Sequence, residues 1–73
     1  MLIELTRVDK SKIYINFYQI EMVEQKVNTV IRMMNEVMYI VLETPEEINQ
    51  KIKEKMKEFV DFLLEEKDGR EKV

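Results

Sequence analysis

The stretch Thr44-Pro45-Glu46-Glu47 divides this chain into two folding regimes. Thr44 can accept from the first free amides of a helix, and Pro45 stands at the first helical position, where no amide donor is needed. Glu47 is placed to complete a capping box and to face the positive end of the helix dipole. Beyond it, Ile48, Ile52, Met56, Phe59, Val60 and Leu63 recur at spacings of three and four, which sets them on one helical face. Glu54, Lys57, Glu58, Asp61 and Glu65 fall on the other. The spacing predicts a helix from Pro45 to Glu66, about 33 Å long at 1.5 Å per residue. A strand of ordinary length spans about 17–20 Å, so the last turns are expected to overhang any sheet beneath them. Phe62 and Leu64 flank the main stripe and widen it into a candidate partner surface. Lys67 to Val73 holds the single glycine and almost nothing apolar, and is expected to be a flexible charged tail.

Upstream of Thr44 the periodicity is that of strands. Short β-rich runs occupy Leu2 to Arg7, Lys12 to Asn16, Ile20 to Glu24, Thr29 to Met33 and Val37 to Glu43. Polar clusters capable of turning the chain separate them, and such short connections imply antiparallel neighbours. Ile3 and Leu5 alternate with Glu4 and Thr6, and Ile13 and Ile15 with Lys12, Tyr14 and Asn16, so these strands should have one face in the core and one in water. Val37 to Leu42 is apolar on both faces. That suits a central strand covered by the helix on one side and by a second subunit on the other. The expected fold class is α+β: a small antiparallel sheet of four to five strands followed by one long C-terminal amphipathic helix, with residues 1–66 forming a single domain and 67–73 the tail.

A chain of 73 residues buries only a modest core. With no cysteine for disulfides and no histidine for a zinc site, packing alone or packing with self-association must hold it, and a homo-oligomer is expected. The start of the chain carries no basic segment followed by an apolar run of signal-peptide length. No stretch approaches the roughly eighteen apolar residues of a membrane span, so the expected location is cytoplasmic.

Fifteen acidic and twelve basic residues are scattered through the sequence for a net charge of −3, which is not the positive field of a nucleic-acid binder. The mixed acidic and basic polar face of the helix likewise argues against a membrane-surface anchor.

Hydrolytic or transfer chemistry requires a nucleophile with a base in reach, or an acid and base held apart in pKa. Without His or Cys the available bases are carboxylates and lysines, nearly all on the predicted solvent face of the helix. A phosphate loop is impossible with one glycine in the tail, and the ligand spacing of a calcium loop is absent. The reading is therefore non-enzymatic, with no cofactor and no metal. The tyrosines and phenylalanines read as core and sheet edge before they read as a stacking platform, and the six methionines as gap-fillers.

Taken in order, Ile3-Glu4-Leu5-Thr6-Arg7, Ile13-Tyr14-Ile15-Asn16, Ile20-Glu21, Asn28-Thr29-Val30-Ile31, Tyr39-Ile40-Val41 with Glu43, and Glu46-Glu47-Ile48 resemble the small flagellar FlbD-type family over most of the first sixty residues. The resemblance implies a non-enzymatic cytoplasmic accessory of bacterial flagellar motility, concerned with swarming and motor power, peripheral to the flagellar base and acting through protein contacts that include motor components. Similar members usually carry asparagine-glycine turns where this chain has Asp9-Lys10 and Asn35-Glu36; Asp9 and Asn35 reach positive φ better than most residues, but the turns lose glycine's freedom, which leaves their geometry and register open. The helix through Leu64 is also longer than the family needs. The candidate partner-binding residues are Arg7, Tyr14 and Asn16 on the sheet and Phe62 and Leu64 on the helix.

The alternative is a small RNA-binding translational regulator resembling the carbon-storage type, whose chains also begin Met-Leu-Ile followed by Leu-Thr-Arg. That likeness fades after Arg7. Where such a protein has arginines before its helix, this one has Glu43, Glu46 and Glu47.

Overall fold

Alternation of Ile3 and Leu5 with polar neighbours makes β1 (Leu2–Thr6), and the same pattern in Ile13 and Ile15 makes β2 (Lys12–Asn16). The computed structural model describes the backbone of residues 1–71 and the side chains of residues 1–65. β1 and β2 pair antiparallel with Ile3 opposite Ile15 and Leu5 opposite Ile13, so the apolar side chains share one face while Glu4 and Tyr14 meet on the other. A short 3-10 turn over Phe17–Gln19 follows, capped by the Asn16 side chain and anchored by the buried Phe17 ring. It swings the chain into β3 (Ile20–Gln25), which pairs antiparallel with β4 (Thr29–Met33), and β4 in turn with β5 (Met38–Val41). A bulge between Ile20 and Met22 re-aims the start of β3.

The five strands form two antiparallel sheets, β1-β2 and β3-β4-β5, and not the one sheet expected. An isolated antiparallel bridge between Arg7 and Val41 joins them, with the Leu42 amide donating to the Thr6 carbonyl at 2.9 Å. On the opposite side the Phe17 amide donates to the Met1 carbonyl, and the Met34 amide to that of Gln19. The strands thus follow one another around the core, which holds Ile3, Leu5, Ile15, Phe17, Ile31, Met33, Val41 and Ile48. The expectation of a central, doubly covered fifth strand is corrected by the same topology. β5 is an edge of the three-stranded sheet, touched by β1 only through the bridge, so Tyr39 and Val41 turn inward while Met38 and Ile40 remain half exposed.

Two hairpins turn by one device. In the first, the Lys10 amide donates to the Arg7 carbonyl, the Arg7 amide donates to the Ser11 carbonyl, and Asp9 Oδ1 accepts from the Ser11 amide. In the second, Glu36, Met33, Val37 and Asn35 repeat the pattern: Glu36 donates to Met33, Met33 donates to Val37, and Asn35 Oδ1 accepts from the Val37 amide. This is the three-residue loop whose last position takes a left-handed conformation. Positive φ falls on Lys10 (76°) and Glu36 (71°), one residue later than Asp9 and Asn35, at the places where the family's glycine would stand.

The helix, α1 (Pro45–Glu71), begins with the predicted capping box. The Glu47 amide donates to Thr44 Oγ1 at 3.1 Å and the Thr44 amide to Glu47 Oε1 at 3.3 Å. Its backbone continues five residues beyond the expected end at Glu66. Glu65 to Asp68 offer no breaker, and one glycine in a helix costs about 1 kcal/mol relative to alanine. Of the tail expected over 67–73, Lys72 and Val73 lie outside the described residues.

The overhang expected of the last turns begins early, and only the first two turns of the apolar face pack on the core. Ile48 is buried and Ile52 partly so, whereas Met56, Phe59, Val60 and Leu63 are each 40–47% exposed. The strands are too short to reach further. The molecule measures 53 × 23 × 19 Å, the long dimension following from that overhang.

Candidate interaction surfaces

Four places on the molecule gather polar or exposed apolar side chains. The first is the joint between β1 and the segment leading into α1. Glu43 lies between the last core residue of the strands, Val41, and the helix cap, Thr44. From there its carboxylate reaches β1, taking the Thr6 amide on Oε1 at 2.9 Å and the Thr6 hydroxyl on Oε2 at 2.8 Å. Lys12 Nζ donates to the same Thr6 hydroxyl oxygen at 2.8 Å. Partial burial pushes the Glu43 carboxyl up, but the two Thr6 hydrogen bonds and the nearby Lys51 charge outweigh it, and its pKa lies below the ordinary value. The group is held ionised, with both oxygens engaged. Its arrangement is that of a structural clasp.

The second place is the outer face of β5. A shallow hollow of about 460 Å³ is lined by Arg7, Val8, Asp9, Met38, Tyr39 and Ile40. Arg7 thus stands at the rim of an apolar surface beside the first hairpin. The Asp9 carboxyl is held below its ordinary pKa by the Ser11 hydroxyl and amide, and by the Arg7 charge.

A cleft of about 310 Å³ forms the third place, where Leu2, Glu4 and Tyr14 on the outer face of β1-β2 meet Lys51, Glu54, Lys55 and Glu58 of the helix. Tyr14 is 63% exposed there. Charges of both signs alternate along the helical wall.

The fourth is the overhanging helix, where Phe62 and Leu64 are 60% and 53% exposed beside Met56, Phe59, Val60 and Leu63. At its root Tyr18 places its hydroxyl 3.8 Å from the Met56 sulfur.

The sequence-derived candidates therefore separate. Arg7 lies at the turn end of the first hairpin and Tyr14 at the middle of β2, in different hollows. Phe62 and Leu64 share the helix overhang. Asn16 is engaged in the fold, its Oδ1 accepting from the Tyr18 amide at 3.1 Å and from the Met1 ammonium at 3.4 Å. Sequence reasoning missed the role of Glu43. The available signal was a carboxylate set between a buried strand end and a helix cap, opposite no cation in the chain's local pattern.

Among the described residues no group of three or more carboxylates is placed to hold a metal ion, and no helix is long and apolar enough to cross a membrane. The fold and its surfaces define a small α+β protein whose ordered polar side chains serve caps, turns and a clasp, and whose apolar excess is displayed on one sheet face and one helix.

The model of the FlbD family, flagellar and swarming motility proteins, matches residues 2–60, and the chain belongs to that family. The match ends within the helix overhang. No curated protein and no solved structure matches the chain significantly.

Proposed function

We propose that this protein is a non-enzymatic, cytoplasmic accessory of flagellar motility that acts by binding protein at the periphery of the flagellar base, in support of swarming and motor power. The observation that carries the reading is the family match over residues 2–60, which spans both sheets and the start of the helix. The surfaces agree with it physically. Exposed apolar side chains beside a charged rim, as around Met38, Ile40 and Arg7, suit a protein partner, since contiguous apolar patches mark interaction sites. The ionisable groups with displaced pKa values, Asp9 and Glu43, are both held ionised by local hydrogen bonds, as structural carboxylates are.

The test is to delete the gene, restore the wild-type copy as control, and measure swimming speed, swarming and flagellar number. Normal flagellar number with slow swimming or failed swarming supports the proposal. Unchanged speed and swarming removes it, and salt-dependent RNA binding by the purified protein would replace it.

A further inference from the structure

Hydrogen bonding fixes which way each backbone group of β1 points. The Arg7 amide donates to the Ser11 carbonyl and the Phe17 amide to the Met1 carbonyl, so, with Ile3 opposite Ile15, the odd-numbered residues carry the ladder to β2. Leu2, Glu4 and Thr6 turn their amides and carbonyls to the other edge. At Thr6 both groups are taken: the carbonyl accepts from the Leu42 amide at 2.9 Å, and the amide donates to Glu43 Oε1 at 2.9 Å. In a regular antiparallel pair that amide would donate to the Leu42 carbonyl. The Glu43 side chain stands in for it, and at Pro45 the chain leaves the sheet as α1. The strand that would have continued along β1 is therefore missing. Among the described residues, the amides and carbonyls of Glu4 and Leu2 have no hydrogen-bond partner.

The helix does not fill the vacated place. The cleft of about 310 Å³ touches Leu2 and Glu4 from one face of β1 and Ile3 from the other, which sets it along the strand's edge, and its far wall is α1 from Lys51 to Glu58. Past it, a second hollow is lined by Met1, Leu2 and Phe59 together with the same Lys55 and Glu58, so the groove runs on to an apolar end. With α1 alongside, the edge admits a single extended segment, about 4.8 Å from β1, and not another folded sheet.

Charge says which segment. On the helical wall Lys55 pairs with Glu58 at 3.7 Å, and Lys51 lies near the Glu43 carboxylate. Glu54 accepts only from the neutral Gln50 amide, at 3.3 Å, and among the described residues neither Glu54 nor Glu4 belongs to an ion pair. The groove thus presents two uncompensated carboxylates beside Glu4 and apolar surface beside Leu2.

We infer that this groove takes an extended segment of a partner protein as an added strand antiparallel to β1, with Lys or Arg opposite Glu4 and apolar residues opposite Ile3 and Leu2. The inference rests on the reading of this protein as one that acts by binding protein, and says how one such contact is made. In that register the Lys or Arg exchanges both backbone hydrogen bonds with Glu4 and sets its charge beside Glu4 and Glu54. The residue opposite Leu2 exchanges both with Leu2 and lies toward Met1 and Phe59. The residue between them turns its own amide away from β1.

The test uses the purified full chain, so its failure is read separately from any motility phenotype. The probe is a displayed library of random peptides selected on the immobilised protein, and the best of them is synthesised for titration by fluorescence anisotropy. Selection should enrich a Lys or Arg followed by two apolar residues. N-methylation at the first or third residue of that motif should weaken binding about fivefold or more, the loss of one backbone hydrogen bond, whereas at the second it should change binding by less than about twofold. Glu54→Lys, at an exposed position, should weaken binding about two- to fivefold. Glu4→Pro deletes the outward amide and no bond to β2, and should abolish binding with the circular dichroism of the wild type retained. In hydrogen exchange, the Glu4 amide of the free protein should exchange fast beside slow Ile3 and Leu5, and bound peptide should slow it. A selection that enriches no motif over the bare support, binding unmoved by Glu54→Lys, equal losses from N-methylation at all three residues, or a Glu4 amide already protected in the free protein would each overturn the inference.

Discussion

Thr6 and Glu43, 37 positions apart in sequence, are joined by two hydrogen bonds to one carboxylate, from the Thr6 amide at 2.9 Å and its hydroxyl at 2.8 Å. The pair locks the end of the first strand to the segment that launches the helix, next to the Arg7–Val41 bridge that joins the two sheets. Hydrogen bonds to a charged group contribute about 1.5–3 kcal/mol when shielded, and less where water competes. Glu43→Gln should therefore cost about 1–2 kcal/mol in urea denaturation at neutral pH, and Thr6→Val, which keeps the amide bond, about 1 kcal/mol.

The same clasp sets a pH dependence. Glu43 has a pKa below its ordinary value of 4.5, chiefly because the Thr6 bonds and Lys51 overcome the cost of partial burial. The folded protein thus binds this proton less tightly than the unfolded chain does. The stabilisation is complete above pH 4.5 and is lost as pH falls through the lowered folded value. The stability difference between wild type and Glu43→Gln should shrink as urea melts are repeated down that range. A difference that stays constant would show that ionisation of Glu43 contributes nothing. Asp9, also lowered, is common to both proteins and cancels in the comparison.

Lys10 and Glu36 occupy left-handed backbone conformations with φ of 76° and 71°. For a residue with a Cβ this costs roughly 1–2 kcal/mol, and glycine relieves it at the expense of a more flexible unfolded chain. Lys10→Gly and Glu36→Gly should each stabilise by about 0.5–1 kcal/mol, read as a higher urea midpoint with an unchanged slope. Glu36→Gly also removes the 4.0 Å pair with Arg32, which is solvent-exposed and worth little.

At the helix start, Thr44→Ala removes the acceptor for the Glu47 amide and should cost about 1 kcal/mol. Glu47→Ala should cost less, since the return bond to the Thr44 amide is 3.3 Å long and exposed. Circular dichroism followed through a thermal melt gives both values.

Ile48 and Phe62 separate the two halves of the helix. Ile48→Ala opens a cavity in the core and should destabilise by about 2–4 kcal/mol. Phe62→Ser, on the overhang, should change the melt of dilute protein by less than about 0.5 kcal/mol. A large loss from Phe62→Ser in dilute solution would mean that the outer turns pack against the sheet after all.

All five strands lie within two residues of their sequence-derived bounds, because alternation such as Ile3-Glu4-Leu5 reports burial directly. The capping box was equally legible, being local chemistry. The division into two sheets was not, since it depends on the turn through Phe17–Gln19, a segment with no glycine or proline to mark it. The overhang of the last turns followed from helix length set against strand length, but how early it begins did not, since the placement of the strands leaves only Ile48 and Ile52 packed on the core. Among the surface candidates, exposure of Phe62 and Leu64 followed from their position beside the stripe. Engagement of Asn16 as a cap and of Glu43 as a clasp did not, because each depends on side-chain geometry that no spacing rule encodes.

Beyond Ile52 no helix side chain packs into the core, and about 18 Å of helix runs from there to Leu64, at 1.5 Å per residue. A rigid rod fixed at its base is a lever. A tilt of about 10° at the root moves Leu64 by roughly 3 Å, on the scale of a helix-packing contact. The Thr6–Glu43 pair sits at that root, so this carboxylate helps Ile48 and Ile52 hold the angle at which the far end of the protein meets whatever it touches.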